Sequence, residues 1–120
     1  MNVLVDTNVW VDFFRRGDPK LATLLLEQRV VTHPIIIGEL ACGQLFDREE
    51  TLNALFALDQ VPMATFYESL HLLERDRLHG SGLHWNDIQL LASALIAGLP
   101  LWTRDRRLRS AALARDSGWG

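Results

Sequence analysis

Short apolar runs alternate with amphipathic segments along this chain of 120 residues. The first run, at 3–5, reads Val-Leu-Val; comparable runs lie at 30–32 and 99–103, and a weaker one lies at 61–64. A continuous apolar run of this length is typical of a strand that is buried on both faces. Because helical patterns separate the runs, the sequence predicts an α/β fold with a mostly parallel sheet between helices and right-handed crossovers.

Capping residues indicate where the helices begin and end. Helices are predicted at about 9–15, 18–28, 34–45, 47–58, 65–78 and 86–97, and a last one follows residue 105. The expected N-caps are Thr7 or Asn8, Asp18 with Pro19 after it, Asp47 with Glu50, Thr65 with Glu68, and Asn86. Gly98 is expected to end the helix that begins at Asn86.

The composition is ordinary for a globular domain. Hydrophobic residues make up 48% of the chain and charged residues 22%, and the length suits one domain spanning 1–120. No run of about 18 apolar residues predicts a membrane span, so no membrane association is expected. The first residues lack the pattern of a secretory signal peptide. Cys42 is the single cysteine, which favours a reducing cytoplasm.

Asp6 ends the first apolar run, where the chain leaves the predicted sheet. In open α/β folds, ligand sites lie at the carboxyl edge of the strands. Capping of the first helix would also explain this acid, but Thr7 and Asn8 are available for that task. The sequence therefore points to Asp6 as a site residue without a structural role.

Three more acids, Glu39, Asp87 and Asp105, stand at comparable positions. Asp87 and Asp105 also have a structural explanation, because an acid in the first turn stabilises a helix by roughly 0.3–1 kcal/mol. Glu39 is the only charged residue from 34 to 46, and its helical neighbours are apolar or small. We therefore expect Glu39 to be partly buried, held by a cation or hydrogen-bond donors or by a distant arginine.

The four acids together suggest a metal site. If the first and last strands are neighbours, Asp6 and Asp105 leave the sheet at one edge, and Glu39 and Asp87 reach the same edge. Clustered carboxylates raise one another's pKa, and a hard divalent cation removes that conflict. Oxygen ligands suit Mg²⁺ or Mn²⁺, whereas one cysteine and four scattered histidines support zinc poorly.

Arginine dominates the basic residues, with eleven arginines and one lysine in the chain. Four of them surround the last acid: Arg104, Arg106, Arg107 and Arg109. Arginine binds phosphate through a planar fork, so these residues are candidates for phosphate contacts, and a solvated helix face is the plainer reading. Trp10, Phe13 and Phe14 are expected in the core, or alternatively in an exposed patch for a partner segment or a second subunit.

Four segments together resemble the PIN-domain ribonucleases, most closely the VapC-type toxins of bacterial toxin–antitoxin pairs. They are V-L-V-D-T-N-V-W at 3–10, I-I-I-G-E-L-A-C-G at 35–43, D-I-Q-L-L-A-S-A at 87–94 and L-W-T-R-D at 101–105. The resemblance covers about 1–115. It implies a three-layer α/β/α sandwich, a cytoplasmic endoribonuclease, a cognate antitoxin and a homodimer.

The resemblance also implies site residues. Asp6, Glu39, Asp87 and Asp105 fall on the family's acidic positions around Mg²⁺, Thr103 on its supporting hydroxyl, and Asn8 on a polar position after the first acid. Asp6 and Asp87 are the first choice for direct ligands. Where relatives often have an aromatic residue after the last acid, this chain has Leu108. Single-stranded or looped RNA is the expected substrate form, and the four arginines at 104–109 are the expected contacts for its backbone. If the aromatic patch of the first helix is exposed, an antitoxin segment is its expected partner.

Other functions fit the sequence less well. A receiver domain needs a lysine at a late strand end, and the only lysine is Lys20; an Asp-x-Asp phosphatase needs an acid where Asn8 stands. No glycine-rich phosphate loop of Walker type is present. Two alternatives within the same fold are an inactive RNA- or protein-binding module and a nuclease of RNA maturation outside any toxin pair.

Overall fold

A computed structural model describes residues 1–119 of the chain. Four strands, β1 (Val3–Val5), β2 (Val30–Thr32), β3 (Asp59–Gln60) and β4 (Leu101–Trp102), form one sheet in the order β3-β2-β1-β4. All of its pairings are parallel, and β1 lies between β2 and β4. The predicted α/β class is confirmed, and the expected neighbourhood of the first and last strands is correct.

Seven helices in the described chain connect and cover the strands. They are α1 (Thr7–Arg16), α2 (Pro19–Leu26), α3 (Pro34–Ala41), α4 (Arg48–Ala57), α5 (Phe66–Arg75), α6 (Trp85–Ala97) and α7 (Arg106–Ala114). All three residues of β1 are fully buried, as its continuous apolar pattern predicts. The core joins the sheet to α1, α2, α3, α6 and α7 through residues such as Val9, Leu21, Ile36, Leu91 and Leu108. Within residues 1–119, no helix is both long and apolar enough to cross a membrane.

The third strand lies before the apolar run that was expected to form it. Residues Asp59 and Gln60 pair with β2, although both are exposed. Val61 and Ala64, from the predicted segment, are buried but outside the strand. The apolar run therefore signalled burial rather than strand pairing. The last strand is also shorter than predicted, and α3 ends at Ala41 instead of near 45.

Several helix caps differ from the prediction. Asp6 itself caps α1, and its carboxylate accepts a hydrogen bond from the Thr7 N–H. Asp47 has φ +46° and makes no side-chain cap bond, so the capping box with Glu50 is wrong. His84 rather than Asn86 precedes α6. The caps at Asp18, at Thr65 with Glu68, and at Gly98 are confirmed.

The segment after α7 returns to the sheet. The Leu101 N–H donates to the Ser117 carbonyl at 2.6 Å, and Leu101 forms a parallel bridge with Gly118. The ring of Trp119 lies 4.5 Å from that of Trp102. This tail therefore covers the outer side of β4, the strand that leads into the candidate site.

Candidate metal centre at the carboxyl edge of the sheet

Asp6 lies at the centre of a network of hydrogen-bond donors. Its side chain is buried, with 7% of its surface exposed. One carboxylate oxygen accepts the Thr7 N–H at 2.7 Å. The other accepts the Thr103 hydroxyl at 2.7 Å and the Asn8 side-chain amide at 3.3 Å. The carboxylate is thus held by three donors that differ in origin: one backbone group, one hydroxyl and one amide.

Thr103 connects Asp6 and Asn8 to the segment that follows β4. It follows β4, and the parallel pairing of β1 with β4 brings it beside Asp6. Its hydroxyl donates to Asp6 and accepts from the Asn8 amide at 3.2 Å and from the Asp105 N–H at 3.1 Å. A hydroxyl has one donor and two acceptor sites, so the hydrogen-bonding capacity of Thr103 is filled.

Glu39 is exposed, and the predicted partial burial is wrong. The buried residues of α3 are Ile36, Ile37 and Leu40, and they do not enclose the Glu39 side chain. On its own face, the neighbours Cys42 and Gly43 are open to solvent, whereas Ile36 is buried. Its carboxylate still points to the site, because the Thr7 hydroxyl donates to Oε1 at 2.8 Å.

The other two acids occupy helix starts. Asp87 lies in the first turn of α6, with a quarter of its side chain exposed, and Oδ2 accepts the His84 N–H at 3.0 Å. Asp105 is exposed and caps α7, since Oδ1 accepts the Leu108 N–H at 3.0 Å. Both helix-start explanations that the sequence offered are therefore correct, and neither excludes a further role.

The pKa of Asp6 indicates that Glu39 and Asp87 lie near enough for their charges to act on it. Burial raises the pKa of Asp6, and the negative charges of Glu39 and Asp87 raise it further. Hydrogen bonds from Thr103 and Thr7 oppose the rise without cancelling it. Among residues 1–119, no three acidic, histidine or cysteine side chains are arranged to hold one metal ion by themselves.

The donor set fits a hard cation that keeps part of its water. The two oxygens of a carboxylate offer about four acceptor sites, and the Asp6 network occupies three. Mg²⁺ is usually bound by one or two carboxylates together with waters and substrate phosphates, rather than by a complete protein cage. A cation would also relieve the repulsion that raises the pKa of Asp6.

The arginines near Asp105 divide into two kinds. Arg104 forms ion pairs with Asp12 and Asp18. Arg106, Arg107 and Arg109 lie on the exposed part of α7. Arg107 lies directly over Gly82, which has φ +88°; a Cβ added there would come within 2.6 Å of Nη1. No pattern in the sequence signalled that Asp12 and Asp18 pair with Arg104.

An apolar cleft of about 400 Å³ lies on another face, between α1, α2 and α4. Trp10 is buried, Phe13 is half-buried and Phe14 is 42% exposed. The expected core position is therefore confirmed for Trp10, holds partly for Phe13 and is wrong for Phe14. The three rings lie within 6.0 Å of one another. Phe46 faces the same cleft and is 89% exposed, and acids line its rim.

Comparison with known proteins identifies the class. The model of the PIN domain family matches residues 3–113, and this chain belongs to that family. The PIN-domain resemblance inferred from the four segments is confirmed.

Individual relatives show which branch of the PIN domain family the chain belongs to. The chain is 44% identical over 110 residues to Ribonuclease VapC32 from Mycobacterium tuberculosis strain H37Rv, covering 91% of this chain and 89% of the relative. The same values hold for Ribonuclease VapC32 of strain CDC 1551. The chain is therefore a VapC-type member of the family. The fold is similar to a chain of a toxin–antitoxin complex from Klebsiella pneumoniae, with a TM-score of 0.63, 22% identity and 87% coverage of each chain.

Proposed function

We propose that this protein is a metal-dependent endoribonuclease that cleaves single-stranded or looped RNA and acts as the toxin of a toxin–antitoxin pair. The observation that carries the proposal is the state of Asp6. It is a buried carboxylate held by three donors, and its pKa is raised by burial and by the charges of Glu39 and Asp87. A group kept in this condition suits a cation ligand better than a structural salt bridge.

Asp6 and Asp87 would hold Mg²⁺, or Mn²⁺ in its place, and Glu39 and Asp105 would complete the site through water. A cation held by these residues would supply Lewis acidity, which lowers the pKa of water and neutralises charge on the scissile phosphate. Thr103 and Asn8 keep the Asp6 carboxylate in one orientation. The Thr7 hydroxyl turns Glu39 towards the same region, where this carboxylate orients the attacking water. In-line attack leaves a 5′-phosphate and a 3′-hydroxyl, without use of the 2′-hydroxyl.

The exposed arginines of α7 are the proposed contacts for the RNA backbone. Arg106, Arg107 and Arg109 follow Asp105 on one short helix, next to the site. Each phosphate neutralised by such a residue releases counterions, so RNA binding should weaken as salt rises. Single-stranded RNA suits an open edge of this kind, because its backbone and bases are accessible.

The apolar cleft between α1, α2 and α4 is the proposed surface for the antitoxin. A relative of known structure stands in a toxin–antitoxin complex. The floor of the cleft is aromatic and aliphatic, and Asp47 and Glu50 lie on its rim. This pattern suits a helical antitoxin segment with an apolar face and basic flanks. A homodimer and a cytoplasmic location stay predictions from the family resemblance.

The proposal is tested by incubating purified protein with total cellular RNA and mapping the cleavage sites. We expect discrete cuts with Mg²⁺ or Mn²⁺, 5′-phosphate ends, and no cuts in EDTA. Asp59→Asn, which removes an exposed acid from the far edge of the sheet, should cut the RNA as the wild type does. RNA binding without any cleavage under all metal conditions would show an inactive binding module instead.

A further inference from the structure

Arg104 joins three elements that meet beside the site. It follows Thr103 in the segment between β4 and α7. Its guanidinium pairs through Nη1 with Asp12 on α1 and through Nη2 with Asp18, the residue that caps α2. A planar fork is the shape needed to bridge two separate carboxylates, which the point charge of a lysine does less well.

The guanidinium of Arg104 also packs over an aromatic ring. The guanidinium carbon lies 5.6 Å from the centre of the Trp102 ring, in cation–π geometry. Trp102 in turn contacts Trp119 from the tail, and Trp102 is buried. The arginine is therefore fixed on one side by charge and on the other by stacking.

The backbone of Arg104 belongs to the site itself. Its N–H donates to Oδ1 of Asn8 at 3.0 Å. The amide group of the same Asn8 donates to Asp6 and to Thr103. The Arg104 N–H thus holds the side-chain oxygen of Asn8, which leaves the amide nitrogen facing the Asp6 carboxylate.

We propose that Arg104 is a positioning residue: its side chain holds α1 and α2 against the end of β4, and its backbone thereby orients Asn8 and Asp6. This inference rests on the proposed ribonuclease function for its activity readout. It replaces the expectation from the sequence that Arg104 binds RNA together with Arg106, Arg107 and Arg109.

Local charge favours the positioning role over RNA binding. One guanidinium faces two carboxylates, so the group formed by Arg104, Asp12 and Asp18 carries a net charge of −1. Asp12 also pairs with Arg16 at 3.4 Å, but that arginine is mostly exposed. A phosphate approaching Arg104 would have to displace two carboxylates that already occupy its fork.

Asp12→Asn separates the two roles, because it leaves Arg104 in place and releases one arm of the fork. A positioning role predicts that kcat falls roughly 10-fold, the typical cost of losing a supporting contact around a metal ligand. RNA affinity, measured by anisotropy in EDTA, should stay unchanged. An RNA-binding role predicts tighter binding at unchanged kcat, and that result would overturn the proposal.

Arg104→Lys provides the second arm of the test. It keeps the charge but loses the bridging fork, so kcat should fall by a similar factor. Combined with Asp12→Asn, the loss should be no greater than that of the more damaging single variant, because both remove one interaction. Fully additive losses would show that the two residues act separately. Asp18→Asn serves if Asp12→Asn does not fold, since asparagine still caps α2.

Arg115→Lys is the matched control. Arg115 pairs with Asp76 at 2.6 Å at the end of α7 opposite to Asp105, so its replacement weakens an ion pair without changing kcat. A readout independent of cleavage is hydrogen exchange at the Arg104 N–H, which should be roughly 10-fold faster in Asp12→Asn and unchanged in Arg115→Lys. Unchanged exchange in Asp12→Asn would refute the positioning role. Wild-type protein that cleaves no RNA would refute the proposed function alone.

Discussion

Two buried polar networks lie at the carboxyl side of the sheet, and they are built in opposite ways. The first is the Asp6 network, in which one carboxylate is surrounded by donors and by two further negative charges. The second, which we call the His33 network, joins His33, Ser93 and the Ala64 backbone between β2 and α6. His33 is fully buried and Ser93 is 1% exposed.

Every polar atom of the His33 network has the partner that it needs. Nδ1 of His33 accepts the Ile35 N–H at 3.0 Å and so caps α3, which leaves the ring proton on Nε2 to face Ser93 Oγ at 3.0 Å. Ser93 Oγ also accepts the Ala64 N–H at 2.9 Å and donates to the Gln89 carbonyl at 2.8 Å. The network is neutral, and its capacity is filled.

The difference between the networks separates a structural device from a candidate site. A neutral and saturated network fixes α3, α6 and the 61–65 segment without offering anything to a ligand. The Asp6 network keeps acceptor capacity and unrelieved negative charge, which costs stability in the absence of a cation. Burial alone does not distinguish the two; the balance of donors, acceptors and charge does.

Removal of the Asp6 charge should give the largest effect. Asp6→Asn replaces an anionic ligand by a neutral one, which removes several kcal/mol of transition-state stabilisation. The rate of RNA cleavage should therefore fall on the order of 10³-fold. Cleavage is measured with labelled RNA in Mg²⁺, and folding by circular dichroism. Wild-type rates in this variant would remove Asp6 from the site and leave the two networks without a functional difference.

The second-largest expected effect is a loss of folding stability in acid, caused by protonation of His33. Burial lowers the pKa of His33 from 6.5 to about 4. The unfolded chain therefore binds the proton more readily, so stability is complete above pH 6.5 and is lost as the pH falls towards 4, by roughly 3 kcal/mol at most. Denaturant unfolding from pH 7 to pH 4 measures this loss.

His33→Asn is the control for that prediction. Asparagine still caps α3 but has no group that titrates in this range. Its unfolding free energy should depend less on pH between 6.5 and 4 than that of the wild type. Equal slopes for the two proteins would assign the acid sensitivity to other groups. The raised pKa of Asp6 acts in the opposite direction, because its protonation in acid relieves repulsion in the folded state.

Loss of the Thr103 hydroxyl should have an intermediate effect. Thr103→Val keeps the shape but removes the donor to Asp6 and the acceptor for Asn8 and Asp105. Activity or Mn²⁺ affinity should fall about 10- to 100-fold, and Mn²⁺ affinity is measured by calorimetric titration. Thr103→Ser should restore most of it. Equal losses in both variants would show that packing by the methyl group, rather than the hydroxyl, supports the site.

Asp87→Asn should have the smallest effect on stability, and its sign is the informative part. Removal of a negative charge near Asp6 lowers repulsion, so metal-free protein should gain up to about 0.5 kcal/mol while it loses cleavage. The amide oxygen can still accept the His84 N–H. Thermal melting in EDTA, compared with Asp59→Asn, measures the gain. A destabilised Asp87→Asn would mean that Asp87 is needed mainly for its helix.

Sequence patterns predicted the sheet and its carboxyl edge because continuous apolar runs leave few alternatives. The position of Asp6 at that edge followed from its place after β1, whereas its role as the cap of α1 was not predicted. Its neighbours were harder to foresee, because Glu39 appears buried in the helical pattern yet lies on an open face. The pattern shows which residues share a helix face but not whether another element covers that face.

The His33 network and the Arg104 ion pairs were not predictable for a related reason. Ser93 meets His33 across 60 positions in the chain, and Arg104 meets Asp12 across 92. Contacts of this range depend on how helices pack, which local propensity does not encode. The third strand was misplaced since burial and pairing usually coincide, and in Asp59–Gln60 they do not.

The tail that returns along β4 has a consequence for how copies of this protein associate. It gives the strand that precedes Thr103 a neighbour on each side, so that border of the sheet offers no open row of amides and carbonyls to another chain. The opposite border is only two residues long and polar. Growth of the sheet from molecule to molecule is thereby disfavoured at both ends.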